Sequence, residues 1–239
     1  MIGLPANVRY TKHFAQQPLE AFMRGLKTLM LALSCLSAVA TAAEIAPVTK
    51  TKPLPDIRQS GFIYCVSGIL NTFNPQMASS GLTVDTLAAQ LYDRLLDVDP
   101  YTYRLIPELA QSWEVLDGGA TYVLHLRKDV PFQTTDWFKP TRKMNADDVV
   151  FSFNRMFDPN HPYHEVNGGH YPYFESLQFS DAVQSVRKLD NSTVEIRLKQ
   201  PDASFLWHLA THYAPILSSE YADNLAKKGK EEDIDRLPV

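Results

Sequence analysis

One apolar run governs what this chain of 239 residues can become. Residues 28–40 are almost wholly small or apolar, follow the basic start Met23-Arg24-Gly25-Leu26-Lys27, and lead into Ala40-Thr41-Ala42-Ala43. A membrane-crossing helix needs about 20 apolar residues, so this run is too short to span. A basic start, a short apolar stretch and an Ala-x-Ala exit, in that order, describe a secretory signal. The chain is therefore expected to be exported, with residues 1–42 an upstream extension plus signal that stays out of the fold. Met23 can itself begin translation, which sets residues 1–22 apart. Cys35 follows Ala32-Leu33-Ser34, a poor lipid-attachment sequence, so a lipid anchor is disfavoured.

Removal of that segment leaves Cys65 alone. In an oxidising compartment a lone cysteine means a partner elsewhere or a free thiol, unless it is merely a small buried hydrophobe. Four of the 23 basic and one of the 27 acidic residues lie in 1–43, so the remainder carries a net charge of −7. A mildly acidic body without a basic tract argues against nucleic acid as a partner. No further long apolar segment occurs, so the exported part is expected to be soluble. At 45% hydrophobic and 21% charged residues the whole chain falls in the globular range, which excludes fibrous and disordered classes.

Residues 43–60 carry Pro and Lys without an apolar period and read as a flexible lead. Phe62, Ile63, Tyr64, Cys65 and Val66, between Gly61 and Gly68, fit a strand covered on both faces. After turn-rich sequence around Asn74-Pro75, apolar Val84, Leu87, Ala88, Leu91 and Leu95 recur at helical spacing, with Thr83 the candidate N-cap and Asp99-Pro100 the stop. Two runs separated by Asp117-Gly118-Gly119 predict a hairpin. In the second run Tyr122, Leu124 and Leu126 alternate with His125 and Arg127, the pattern of a half-buried strand. Asn145 followed three residues later by Asp148 predicts a capped helix carrying Val149, Phe153 and Met156 and ending at Asp158-Pro159. Residues 183–188 and 194–199 predict two strands joined through Asp190-Asn191. Residues 204–213 predict a short helix, and Ser218 or Ser219 caps a last one that closes at Gly229. Nothing in 235–239 looks like the end of a core. Interleaved strands and helices predict an α+β fold.

The sequence carries no catalytic signature. There is no Gly-x-Ser-x-Gly, no phosphate-cradling loop and no Cys-x-x-Cys. Ser185 and Lys188 match Ser-x-x-Lys, but strand-like sequence puts positions three apart on opposite faces. Asp147 and Asp148 are explained by capping. His161, His164 and His170 lie in a polar loop beside Glu165 and read as surface histidines rather than metal ligands. The aromatics between Trp137 and Phe179 read as core. No catalytic, metal or cofactor site is expected.

Several stretches together resemble the extracellular solute-binding proteins of family 5, the dipeptide and oligopeptide type. They are Tyr64-Cys65 with Phe73-Asn74-Pro75, then Leu109-Ala110-Gln111-Ser112-Trp113-Glu114-Val115, Thr121-Tyr122 and His125-Leu126-Arg127-Lys128-Asp129-Val130. Asn145-Ala146-Asp147-Asp148-Val149-Val150-Phe151-Ser152-Phe153 and Asn160-His161-Pro162-Tyr163-His164 with Gly168-Gly169 add to them. A finer likeness, to members that handle antimicrobial peptides, rests on Tyr64-Cys65-Val66-Ser67-Gly68, Val98-Asp99-Pro100-Tyr101-Thr102-Tyr103-Arg104-Leu105 and Phe132-Gln133-Thr134-Thr135-Asp136-Trp137-Phe138.

The resemblance implies a type II-like periplasmic clamshell whose lobes close on cargo and then dock on inner-membrane ABC permease subunits. Residues 61–91 would open lobe I and residues 92–239 would form most of a small accessory lobe. The remaining lobes of the family, with the charged residues that clamp peptide termini, have no counterpart in these 239 residues. Cys65 would pair with a cysteine in that absent half and stay a free thiol here. The expected function is capture of peptides, cationic antimicrobial peptides among them, by a periplasmic monomer without cofactor or catalysis. Haem or another non-peptide cargo is the alternative on the same scaffold, and an exported hydrolase the disfavoured one. The candidate ligand-binding residues are Ser79, Ser80, Gly81 and Leu82. A glycine lets backbone approach a ligand closely, and backbone amides can pair with an extended peptide. An ordinary turn and helix cap explains the same residues.

Overall fold

The Asp117–Gly119 turn has positive φ at all three residues, and it reverses the chain between two antiparallel strands as the sequence predicts. These are β3 (Ala110–Leu116) and β4 (Thr121–Leu126); ahead of them a smaller hairpin pairs β1 (Leu96–Val98) with β2 (Leu105–Pro107). Later in the chain β5 (Val183–Asp190) and β6 (Thr193–Leu198) complete a four-stranded antiparallel sheet of order β3-β4-β6-β5. The computed structural model describes residues 72–78 and 81–239. The signal, the lead, the strand expected at 61–66 and Cys65 lie outside the described residues.

Among the described residues six helical segments accompany the strands. The first, α1, runs through Gly81–Thr83, Val84–Ala88 and Ala89–Leu91, the middle stretch being wound as a π-helix. The others are α2 (Ala146–Phe157), α3 (Pro172–Ser176), α4 (Phe179–Ala182), α5 (Phe205–Leu209) and α6 (Ser219–Ala226). Short 3₁₀ turns occur at Pro75–Met77 and Glu231–Asp235. All described residues belong to one compact unit, Cys65–Val239.

The sheet and α2 enclose the main core. Tyr122, Leu124 and Leu126 of β4 and Val194, Ile196 and Leu198 of β6 meet Val149, Phe153 and Met156 of α2 there. Aromatic rings bridge the layers: Phe157 meets Phe174 at 5.6 Å, Phe179 stacks on Phe205 at 5.7 Å, and Phe205 meets Tyr122 at 4.9 Å. The expectation that these aromatics fill the core holds for most of them, whereas Trp137 is 43% exposed. A second cluster gathers Phe138, Tyr163, Leu217, Tyr221, Leu225 and Ile234.

The caps of α2 and α6 follow the sequence. Asn145 and Asp148 form a reciprocal capping box, and the Ser218 hydroxyl accepts from the Tyr221 amide at 3.1 Å. Gly229 has φ +62° and closes α6: its amide donates to Ala226 O and the Lys230 amide to Leu225 O, each at 3.1 Å.

Other expectations need correction. Thr83 does not cap α1: it is already helical, and the helix begins by Gly81. The helix does not reach Asp99-Pro100 but ends at Leu91, with Tyr92 extended. Leu95 and Leu96 are both fully buried, which an extended segment achieves with adjacent residues on opposite faces, so the helical spacing of Leu95 was a coincidence of strand burial. β4 is buried at five of its six positions rather than on one face. It is an inner strand, and across from it Glu195 of β6 accepts from Arg187 at 2.6 Å and Arg197 at 2.7 Å, capping the outer face with a charge cluster. These two guanidiniums hold the Glu195 carboxyl below the usual carboxylate range. Near residue 239 the chain still contributes to the interior: Ile234 packs into the second cluster and Asp235 is 2% exposed.

Candidate ligand-binding segment

Of the four candidate residues, Ser79 and Ser80 lie outside the described residues. Gly81 is exposed and Leu82 half-buried, together opening α1. The amides of a first helical turn have no acceptor within the helix, so this end can receive carbonyl or carboxylate oxygens. Behind it, Ala78, Val84 and Ala88 pack as a small cluster against Tyr213.

The chain entering this segment is fixed by buried polar groups. The Asn74 side chain caps Pro75–Met77 by accepting from the Gln76 amide at 3.0 Å and donates to Asp235 Oδ1 at 2.7 Å. Gln76 donates to the Ser152 carbonyl of α2 at 3.0 Å, and the Phe73 amide donates to the Asp235 carbonyl at 3.0 Å. Asp235 also accepts from Arg155 Nη1 at 2.7 Å and Nη2 at 2.6 Å, and from Asn167 Nδ2 at 2.7 Å. Arg155 is fully buried and gives its Nε proton to Tyr163 O at 3.2 Å. A buried ion pair with every polar atom matched fixes geometry more than it adds stability. Here it holds residues 73–76 against α2 and Asp235. A surface cleft of about 310 Å³ lies beside it, lined by Thr72, Met77, Asn167, Asp235 and Arg236.

The sharper readings of other residues find ordinary explanations. Asp148 is fully buried as helix cap and ion-pair partner of Arg142, and Asp147 pairs with Lys188 at 2.9 Å. Ser185 and Lys188 lie on β5. Two of the three loop histidines are not surface groups as expected: His164 Nδ1 lies 2.8 Å from Arg155 O, and His161 stands edge-on to Phe151 with ring centres 5.2 Å apart. Burial holds His161 below its usual pKa. His170 is exposed. Among the described residues no group of three or more His, Cys, Asp or Glu could hold a metal ion. Asp202, Ser204 and His208 do converge: Ser204 Oγ donates to Asp202 at 2.7 Å and lies 3.2 Å from His208 Nε2, while His208 Nδ1 faces Tyr173 Oη at 2.9 Å. The acid holds the serine rather than the histidine, the reverse of a nucleophile–base–orienter chain.

Sequence reading missed a polar cluster built from residues distant in the chain. Arg94, 9% exposed, donates to Asp97 at 2.6 Å and Glu108 at 3.1 Å and meets His212. The only local signal was the Arg94/Asp97 spacing. Burial raises the Glu108 pKa to about 7; Arg94 opposes this, Asp97 and Asp93 add to it. A carboxyl whose folded pKa exceeds its unfolded value binds more protons when folded, so its contribution to stability is full below about pH 4.5 and is lost as pH rises through about 7. Glu108→Gln is expected to flatten the fall in stability between those values, as measured by urea unfolding at several pH values. An unchanged pH slope would remove Glu108 as its source.

A charge-locked segment thus leads toward the helix that begins at Gly81, on an α+β body. The chain matches the bacterial extracellular solute-binding proteins, family 5 middle, over residues 104–238, and it belongs to that family. It is 67% identical over 214 residues to the peptide transport periplasmic protein SapA of Salmonella typhimurium, a match covering 90% of this chain and 38% of that protein. It is 41% identical to heme-binding protein A of Haemophilus influenzae, covering 89% and 39%. The dipeptide-binding protein from Pseudoalteromonas sp. SM9913 in complex with Met-Leu superposes with a TM-score of 0.72 at 40% identity, over 73% of this chain and 34% of that one. The expected α+β architecture of a solute-binding protein is thus the one observed. The chain spans under two fifths of the length of these relatives.

Proposed function

We propose that this chain is part of a periplasmic solute-binding protein that captures peptides for an ABC importer and carries them without transforming them. The observation that carries the reading is the structural match to a dipeptide-binding protein holding Met-Leu. The likeness to SapA supports peptide transport and a periplasmic location, with inner-membrane permease subunits as partners; the carrier is read as a monomer. Residues 61–91 are assigned to lobe I and residues 92–239 to an accessory lobe. The net charge of −7 outside residues 1–43 suits cationic peptides, antimicrobial ones among them. No cofactor is required. Ser79, Ser80, Gly81 and Leu82 are read as facing the cargo, where backbone amides pair with an extended peptide and leave its side chains free to vary. Cys65 is read as one half of a disulfide closed by a later part of the protein.

Calorimetry on the full-length protein with Met-Leu, a cationic peptide and haem tests this. Peptide binding is expected, and Gly81→Val should weaken it about tenfold or more with little change in thermal midpoint. Tight haem binding with no peptide binding would sink the proposal.

A further inference from the structure

Tyr213 joins two apolar clusters that are otherwise separate. Ala78, Val84 and Ala88 are buried together apart from the main core, and among the described residues the partly buried hydrophobic packed against them is Tyr213. The same side chain packs against the main core. Val84 and Ala88 are the two ends of the stretch of α1 wound as a π-helix. Such winding is rare, and where it occurs it is frequent at functional sites.

The ring is itself held. Tyr213 stacks on Tyr173 with centres 4.4 Å apart and planes 6° from parallel. Tyr173 stands at 90° to Phe174 at 5.1 Å, and its hydroxyl lies 2.9 Å from His208 Nδ1. His208 in turn meets Phe179 edge-on at 4.9 Å. Phe174 and Phe179 belong to the main core and are 1% and 3% exposed. Interdigitated rings in a dense interior transmit displacement instead of absorbing it, so the rigidity of the core reaches Tyr213 through Tyr173. From Tyr213 it passes to Val84 and Ala88, one turn behind the Gly81 and Leu82 that open the same helix. A binding site works when residues behind it lock its geometry, and a loosened support costs affinity without removing a contact.

We propose that Tyr213 is a positioning residue for cargo: clamped by Tyr173, it fixes the seat of α1 and so the placement of the amides at Gly81 and Leu82. The inference rests on the reading of Gly81 and Leu82 given above.

Hydrogen exchange and Met-Leu calorimetry on the full-length protein test it together. Tyr213→Ala is expected to speed amide exchange in residues 81–91 about tenfold and to weaken Met-Leu binding about tenfold, with exchange in α2 and β4 unchanged. Tyr213→Leu keeps apolar bulk, which safeguards folding, but lacks the stacking face, and a loss of about threefold is expected. Tyr213→Phe keeps the ring and should match the wild type in both measurements. Met-Leu binding that survives Tyr213→Ala and Tyr213→Leu unchanged overturns the proposal and leaves the importer reading intact. Faster exchange in α2 and β4 as well makes Tyr213 a general packing residue and overturns it too. A Phe variant as weak as the Ala variant assigns the effect to the hydroxyl and overturns the clamp. A wild type that binds no peptide overturns the importer reading and the proposal together.

Discussion

Asp235→Asn is expected to destabilise the protein by about 3–5 kcal/mol, because it leaves the fully buried Arg155 guanidinium without a counter-charge. The side chain keeps its shape, so the loss is electrostatic rather than a cavity. Asparagine would also turn a donor toward Asn74, Asn167 or Arg155, each of which now donates to Asp235. For a domain of this size the thermal midpoint should fall by roughly 6–20 °C. The double change Arg155→Met with Asp235→Leu is expected to cost less than the single one, since it removes both charges together. Urea unfolding with an unchanged slope measures both. A single-variant loss below about 1 kcal/mol would show that the pair is not desolvated as the structure has it.

The second large effect is expected at Asp148. Its carboxylate accepts from five donors: Arg142 at 2.6 and 2.7 Å, the Asn145 amide at 2.9 Å, and the Ser219 amide and hydroxyl at 2.8 and 2.9 Å. A helix cap alone contributes about 1 kcal/mol. Asp148 does more, because it joins the start of α2 to the start of α6 and neutralises Arg142. Asp148→Ala should therefore cost about 3 kcal/mol, less than Asp235→Asn, since Arg142 is partly exposed and can be rehydrated. Asn145→Ala in the same assay sets the scale: equal losses in the two variants would mean that the link to α6 adds nothing.

What was legible in the sequence was local. The β3–β4 hairpin follows from Asp117, Gly118 and Gly119, and α2 follows from Asn145 and Asp148, since cap and turn chemistry act within four residues. The family was legible because it resides in such stretches. The end of α1 was not: Leu95 kept helical step with Leu91 yet is buried by an extended chain. The β1–β2 pairing and the short helices α3 and α4 were missed, being too short to show a period. Nor could Asp235 be matched to Arg155, Asn74 or Asn167, because nothing in sequence marks partners 80, 161 and 68 positions apart. The candidate site was legible only through family likeness, and the anchoring of residues 73–76 ahead of it came from the structure.

The lock around Arg155 also sets an order of events. Asn74 and Arg155 are synthesised long before Asp235, and until it arrives α2 carries an unmatched cation on the side it must bury. An early segment of the chain thus has no finished interior to collapse into. The core beside α2 therefore closes only when residues as far apart as Asn74, Arg155 and Asp235 are present together.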